Sequence, residues 1–241
     1  MKKNIFKIFF AFTLAEVLIV VGIIGIIAQM TIPTLLSNIQ NEELHSQFKK
    51  TYSDLNQIAM QFKNDNGISV SEYTDYYYDW INFLDKEFWS YLKNKTYITK
   101  SSDLYLRALK GNVPCISICD NSHLHTEIGG RIYTFNEPNK PGENGPTVCV
   151  DINGYKKPNR YGQDFFLFVF TIDGRVIPMG MENEYNTTNA IDIGNNFYRS
   201  GNNYCQKDTN YVHQFACSYY ALLNQHPTEA GKDYWHDFLG E

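Results

Sequence analysis

No cysteine precedes Cys115 and no acidic residue precedes Glu16. The five cysteines (Cys115, Cys119, Cys149, Cys205, Cys217) therefore fall in one part of the chain. That distribution fits a domain delivered to an oxidising space, where thiols pair, and the odd number leaves one over. There is no basic excess: the formal net charge is −5, which removes a general electrostatic grip on nucleic acid. No G-x-S-x-G, H-E-x-x-H, P-loop or Ser-His-Asp signature occurs. Hydrolytic and nucleotide-driven chemistry thus lack a sequence footing, and an enzyme is not expected. No internal repeat and no linker divides the region beyond residue 67.

What is present begins at the N-terminus. The opening MKKNIFKIFF carries Lys2, Lys3 and Lys7, and an unbroken apolar run, VLIVVGIIGIIA, covers residues 17–28. Flanking residues extend it weakly to Leu36, enough for one bilayer-crossing helix of about 20 residues. Basic residues ahead of the run predict a cytoplasmic N-terminus and an exported remainder. A secretory signal peptide cut after Ala28 is one reading, but no good A-x-A site is present. A plain signal anchor is another. Neither accounts for Glu16, because a carboxylate at the edge of an apolar helix costs roughly 2.5–3.5 kcal/mol.

Ala11-Phe12-Thr13-Leu14-Ala15-Glu16 resembles the processing site of type IV prepilins and type II secretion pseudopilins. The resemblance implies that a prepilin peptidase cuts between Ala11 and Phe12 and that the new amine of Phe12 is methylated. Glu16 then becomes the fifth residue of the mature chain, with Gly25 and Pro33 at mature positions fourteen and twenty-two, as in those pilins. Ala11 stands where the family usually has Gly. In the family the matching Glu meets the N-terminal amine of a neighbouring subunit, and the stretch between the matching Gly and Pro can unwind in the filament. The implied organisation is a leader over 1–11, a transmembrane and assembly helix over 12–36, an amphipathic continuation over 37–66 and an extracytoplasmic head over 67–241. The implied partners are the peptidase and other pilin subunits. The protein would wait in the inner membrane with its N-terminus in the cytoplasm, then join a filament. Two rival functions are a minor pilin whose head binds a ligand for adhesion or DNA uptake, and a membrane-tethered hydrolase.

After Pro33, where a kink is expected, Leu44, Phe48, Tyr52, Leu55, Ala59 and Phe62 recur at helical spacing. Glu42, Glu43, Lys49, Lys50 and Asp54 occupy the opposite face, and Asn64-Asp65-Asn66-Gly67 is a stop. Further helices are expected around 80–92, 102–110 and 211–224. Strands are expected at 113–118, 131–136, 147–152, 165–172 and 175–179, the last two joined by Asp173-Gly174. The run FFLFVF within 165–172 is apolar on both faces, so one face should lie on the helix and the other under a loop or a neighbouring subunit. The expected fold is α+β and pilin-like, a long N-terminal helix packed on an antiparallel sheet.

The resemblance further implies a loop closed by Cys205 and Cys217, a bridge that would stabilise by roughly 2–4 kcal/mol. Among Cys115, Cys119 and Cys149 the pairing stays open: 115–119 is local, and 119–149 would join two strands. Asp151, Asn153 and Asp164, with Gly154, Asn159 and Gly162 between them, are the oxygen-rich residue types that hold Ca²⁺. Some secretion pseudopilins bind calcium in a loop, but their motif does not align here; the alternative is an Asx-rich turn. Cys115, Cys119, His123 and His125 are spaced too irregularly for zinc. His213, His226 and His236 show no partner in the sequence. No resident cofactor is expected.

Overall fold

A computed structural model describes residues 13–76, 87–92, 95–98, 106–111, 118–119, 125–136, 145–181 and 201–240. The chain divides into two compact units, Met1–Gln40 and Asn41–Glu241. One helix, α1 (Leu14–Asn66), runs through the end of the first and the start of the second without a break at Pro33. It stops where the sequence says it should. Gly67 takes a left-handed φ of 75°, its N–H returns to the Lys63 carbonyl at 2.9 Å, and Asn66 Nδ2 donates to the Phe62 carbonyl. A second helix, α2 (Val70–Tyr76), starts from a reciprocal cap in which Ser69 N donates to Glu72 Oε2 and Glu72 N to Ser69 Oγ.

The second unit is built on a six-stranded antiparallel meander. Its strands are β1 (Lys95–Ile98), β2 (His125–Ile128), β3 (Arg131–Phe135), β4 (Thr147–Asp151), β5 (Phe165–Phe170) and β6 (Val176–Pro178), in that spatial order. The α+β expectation holds: the part of α1 beyond Asn41 packs on this sheet, with Leu44, Phe48, Leu55, Ala59 and Phe62 all buried and Tyr52 partly so. The period-two pattern of β5 sorts its side chains cleanly. Phe166, Phe168 and Phe170 face α1, and Phe48 meets Phe166 edge-on at a centroid distance of 4.7 Å. Phe165, Leu167 and Val169 point the other way into a second cluster with Leu106, Tyr161, Ile177 and Phe215, so this chain's own loops cover that face.

Polar ties fix the helix against the strands. Arg131 on β3 pairs with Asp54 at 2.6 Å and donates to Thr51 Oγ1; Val176 N on β6 donates to Asn56 Oδ1 at 3.0 Å. The Asp173-Gly174 hairpin forms, with Gly174 at a φ of 90° and Thr171 N bonded to the Arg175 carbonyl.

Several expectations change. The helix expected at 102–110 is absent over its described part: Arg107 makes a parallel bridge to Arg160, its N–H donating to the Asn159 carbonyl. Cross-chain pairing outweighs the local helical preference there. The helix expected at 80–92 is a 3₁₀ turn at Phe88–Tyr91 where described, and most of 113–118 lies outside the described residues. Strands β1 and β2 were not expected; each has four residues, too short a stretch for alternation to register. The helix around 211–224 appears as a 3₁₀ turn, Tyr211–Gln214, followed by α3 (Cys217–Leu223). The disulfides are Cys119–Cys149 and Cys205–Cys217. Cys115 lies outside the described residues.

Candidate functional site

The first unit presents a bare apolar surface. From Leu14 to Ile39 its large hydrophobic side chains are 47–79% exposed, which a lone helix in water would not tolerate. It is the one described helix long and apolar enough to cross a membrane. Among the described residues Gly22 and Gly25 meet nothing within 4 Å of where a Cβ would stand. Pro33 sits inside the helix, where it leaves the Gln29 carbonyl without its usual donor. Nearby, Thr31 Oγ1 bonds back to the Ile27 carbonyl.

Between Lys7 and Glu42 the sole charged side chain is Glu16. It closes the start of α1. Thr13 N and Thr13 Oγ1 both donate to Glu16 Oε2 at 2.8 Å, and Glu16 N donates to Thr13 Oγ1 at 3.2 Å. This is a capping box: the side chains satisfy backbone N–H groups that have no partner in the first turn. The Thr-x-x-Glu spacing was readable beforehand, but only as part of the processing motif. Ala11 and Phe12 lie outside the described residues, so the cleavage site has no structural description.

The turn between β4 and β5 gathers the residues considered for a cation. Asp151 ends β4, Asp164 immediately precedes β5, and both are fully buried. Asp164 Oδ2 accepts from Asn159 N at 2.7 Å and Asn153 Nδ2 at 3.2 Å, and its Oδ1 accepts from Arg160 N at 2.5 Å. Asp151 Oδ1 accepts from Asn153 N at 3.3 Å, while Asp151 Oδ2 and Asn153 Oδ1 are buried without a partner. Burial pushes the Asp151 carboxyl well above its usual range, and the neighbouring Asp164 charge adds to this. Burial likewise pushes Asp164 up to about 6, against the pull of its N–H donors. Among the described residues no three His, Cys, Asp or Glu side chains are grouped to hold a metal. The zinc reading loses Cys119 to its disulfide with Cys149.

The histidines are partnered after all. His213 Nδ1 meets Asp208 Oδ2 at 2.5 Å, and buried His226 lies 3.6 Å from Glu229. His236 bridges Glu42 on α1, at 2.9 Å, and Asp233, at 3.1 Å. His45 on α1 stacks on Trp235 at a centroid distance of 5.1 Å. Burial and the Lys49 charge hold its imidazole below the usual value, against the opposite pull of Glu42 and Asp233. Between the lowered folded value and the ordinary unfolded one, the unfolded chain binds more protons, so stability rises with pH. The contribution is complete above about pH 6.5 and is lost as pH falls from there through the lowered folded value. His45→Phe, which keeps an aromatic ring against Trp235, should flatten this part of the profile. Urea midpoints measured from pH 7.5 to 5 should therefore fall more steeply with acidification in the parent than in the variant. Parallel profiles would show that His45 is not a source of the slope.

No protein-family model, curated protein or solved structure matches the chain.

Proposed function

We propose that this protein is a structural subunit of a type IV pilus or a type II secretion pseudopilus. The observation that carries the reading is the exposed apolar segment Leu14 to Ile39 with a lone carboxylate, Glu16, at its start. A bilayer covers such a surface before assembly, and a bundle of identical helices covers it afterwards. No described residue packs against Gly22 or Gly25, which suits positions kept small for neighbouring copies. Processing between Ala11 and Phe12 would leave a charged amine beside Thr13, one turn from Glu16. In the low dielectric of a helix bundle, an amine from one subunit and the Glu16 carboxylate of the next relieve each other's desolvation cost. That pairing sets axial register.

The subunit sits in the inner membrane with Lys2, Lys3 and Lys7 on the cytoplasmic side and the second unit outside. The two disulfides suit that compartment. The role is structural, not enzymatic. Mass spectrometry of the membrane-extracted protein tests the processing step. A mature chain starting with N-methylated Phe12 is the expected result; retention of Met1, or a start at Gln29, would overturn it.

A further inference from the structure

A cavity of about 250 Å³ opens on the second unit where α1, the β2–β3 turn and the residues after β4 meet. Lys50 comes from α1, Gly129, Gly130 and Arg131 from the turn and the first residue of β3, and Lys156 from the segment after β4. The walls are held in place. Gly129 and Gly130 take left-handed φ values of 60° and 84°, which closes a two-residue turn between the paired Ile128 and Arg131. That turn lies hard against the next one: a Cβ on Gly154 would stand 2.3 Å from the Gly130 carbonyl oxygen, so the approach requires glycine. Arg131, with its side chain 11% exposed, is tied to Asp54 and Thr51, which fixes the turn to α1.

The charge of this cavity has one sign. Its described lining contains no carboxylate, in a chain whose formal net charge is −5. Lys50 and Lys156 are exposed, and neither belongs to a described ion pair. Asp151 and Asp164 are fully buried and outside the lining, and Asp164 is met by the N–H donors of Asn153, Asn159 and Arg160. Two ammonium groups on one cavity repel each other, and an anion between them reverses the sign of that interaction. The Gly129 and Gly130 N–H groups lie outside the strand ladder and add donors at the rim. The charge count selects the anion. A phosphomonoester carries about −1.5 to −2 at pH 7, which matches two lysines, whereas a carboxylate or a phosphodiester carries a single charge. Lysine binds phosphate as a point charge, while planar recognition of a carboxylate uses the arginine fork. Here that fork is committed to Asp54 and Thr51.

We propose that Lys50, Lys156 and the Gly129–Gly130 turn bind one phosphate dianion, either free or as the terminal group of a small phosphorylated molecule. The cavity is larger than a bare phosphate needs, which leaves room for part of a carrier such as a sugar ring. The three segments that supply the site are distant in sequence and joined only by the fold, so the site exists in the folded second unit alone. The proposal stands apart from the filament reading, since it concerns only that unit.

The test is calorimetric titration of the full-length protein in detergent micelles with inorganic phosphate, with glucose 6-phosphate and with a short single-stranded oligonucleotide lacking terminal phosphate. Expected are one phosphate bound per chain, an affinity that falls with added salt, and binding to the oligonucleotide at least tenfold weaker per phosphate. Lys50→Gln and Lys156→Gln should each weaken binding about tenfold or more, with the parent's urea midpoint retained because both side chains are exposed. Lys49→Gln, exposed on the same helix but outside the lining, should leave affinity unchanged. Tighter binding of glucose 6-phosphate than of inorganic phosphate would support a phosphorylated carrier, and equal binding would support free phosphate. Absence of saturable heat with millimolar phosphate would overturn the proposal. So would affinity undiminished in the Lys50→Gln, Lys156→Gln double variant. An equal loss in Lys49→Gln, or equal binding of the oligonucleotide, would overturn it too, by showing a diffuse field in place of a site.

Discussion

Glu16→Gln is expected to abolish filament formation while leaving the second unit as stable as in the parent. The substitution is chosen because the capping box accepts it. A glutamine side-chain oxygen can still receive the Thr13 N–H and hydroxyl that now reach Glu16 Oε2 at 2.8 Å. Helix initiation therefore survives and only the negative charge is lost. Insertion into the membrane becomes easier, since a charge near the apolar run costs roughly 2.5–3.5 kcal/mol. Assembly loses the partner that would neutralise the neighbour's amine. Leaving that amine buried without its partner would cost roughly 3–5 kcal/mol, a hundredfold or more in association at each contact, and a filament multiplies it along its length. The readout is sheared filament yield set beside the urea midpoint of the detergent-solubilised protein. Parent-level filaments from Glu16→Gln would show that the carboxylate only caps its own helix and does not set the register between subunits. Glu16→Ala removes cap and charge together; a defect in Ala but not Gln would assign the effect to capping.

Trp235→Ala should be the most destabilising single substitution in the second unit, at about 3–5 kcal/mol. The indole is fully buried, with ring centroids 5.7 Å from Phe166 and 5.9 Å from Phe48, and stacks on His45. Its Nε1 donates to the Ala221 carbonyl at 3.1 Å. It thereby joins α1, the sheet and α3. The π-helical turn that carries it, Tyr234–Phe238, is held at its start by Asp233. Asp233 Oδ1 accepts from His236 N at 2.6 Å and from Asp237 N at 3.2 Å, and Asp237 Oδ2 accepts from Asp233 N. Asn224 Oδ1 receives Tyr234 N and Trp235 N. A Tm drop of more than about 6 °C follows from the size of the chain. Trp235→Phe keeps most of the apolar volume and loses the indole bond, so a smaller cost of about 1–2 kcal/mol is expected. A Trp235→Ala variant within 1 kcal/mol of the parent would mean that this turn does not close the core.

The parts of the fold legible in the sequence are those governed by period and punctuation. The stripe from Leu44 to Phe62, the stop at Asn66-Gly67 and the Asp173-Gly174 hairpin each rest on a few neighbouring residues. The FFLFVF strand announced two buried faces, and both are buried. What escaped notice depends on partners distant in sequence. Leu106 to Lys110 has helix-forming residues, yet Arg107 pairs with Arg160. The final segment, rich in polar residues, hides its apolar anchors, because Tyr234, Trp235 and Phe238 find their partners only once the rest of the core is beside them. The histidines looked idle for the same reason: Glu42 and His236 are far apart in the chain and 2.9 Å apart in space. For the apolar segment the sequence singled out Glu16, but its bonds to Thr13 exist only once the first helical turn has closed.

The docking of Trp235 against Phe48 has a consequence for folding. The two rings sit on segments separated by nearly all of the second unit, so the core facing α1 stays open until residue 238 has been made. A chain that ended before Tyr234 would leave Phe48, Phe166 and Phe168 without the indole that covers them, and a product truncated there should be prone to aggregation and proteolysis.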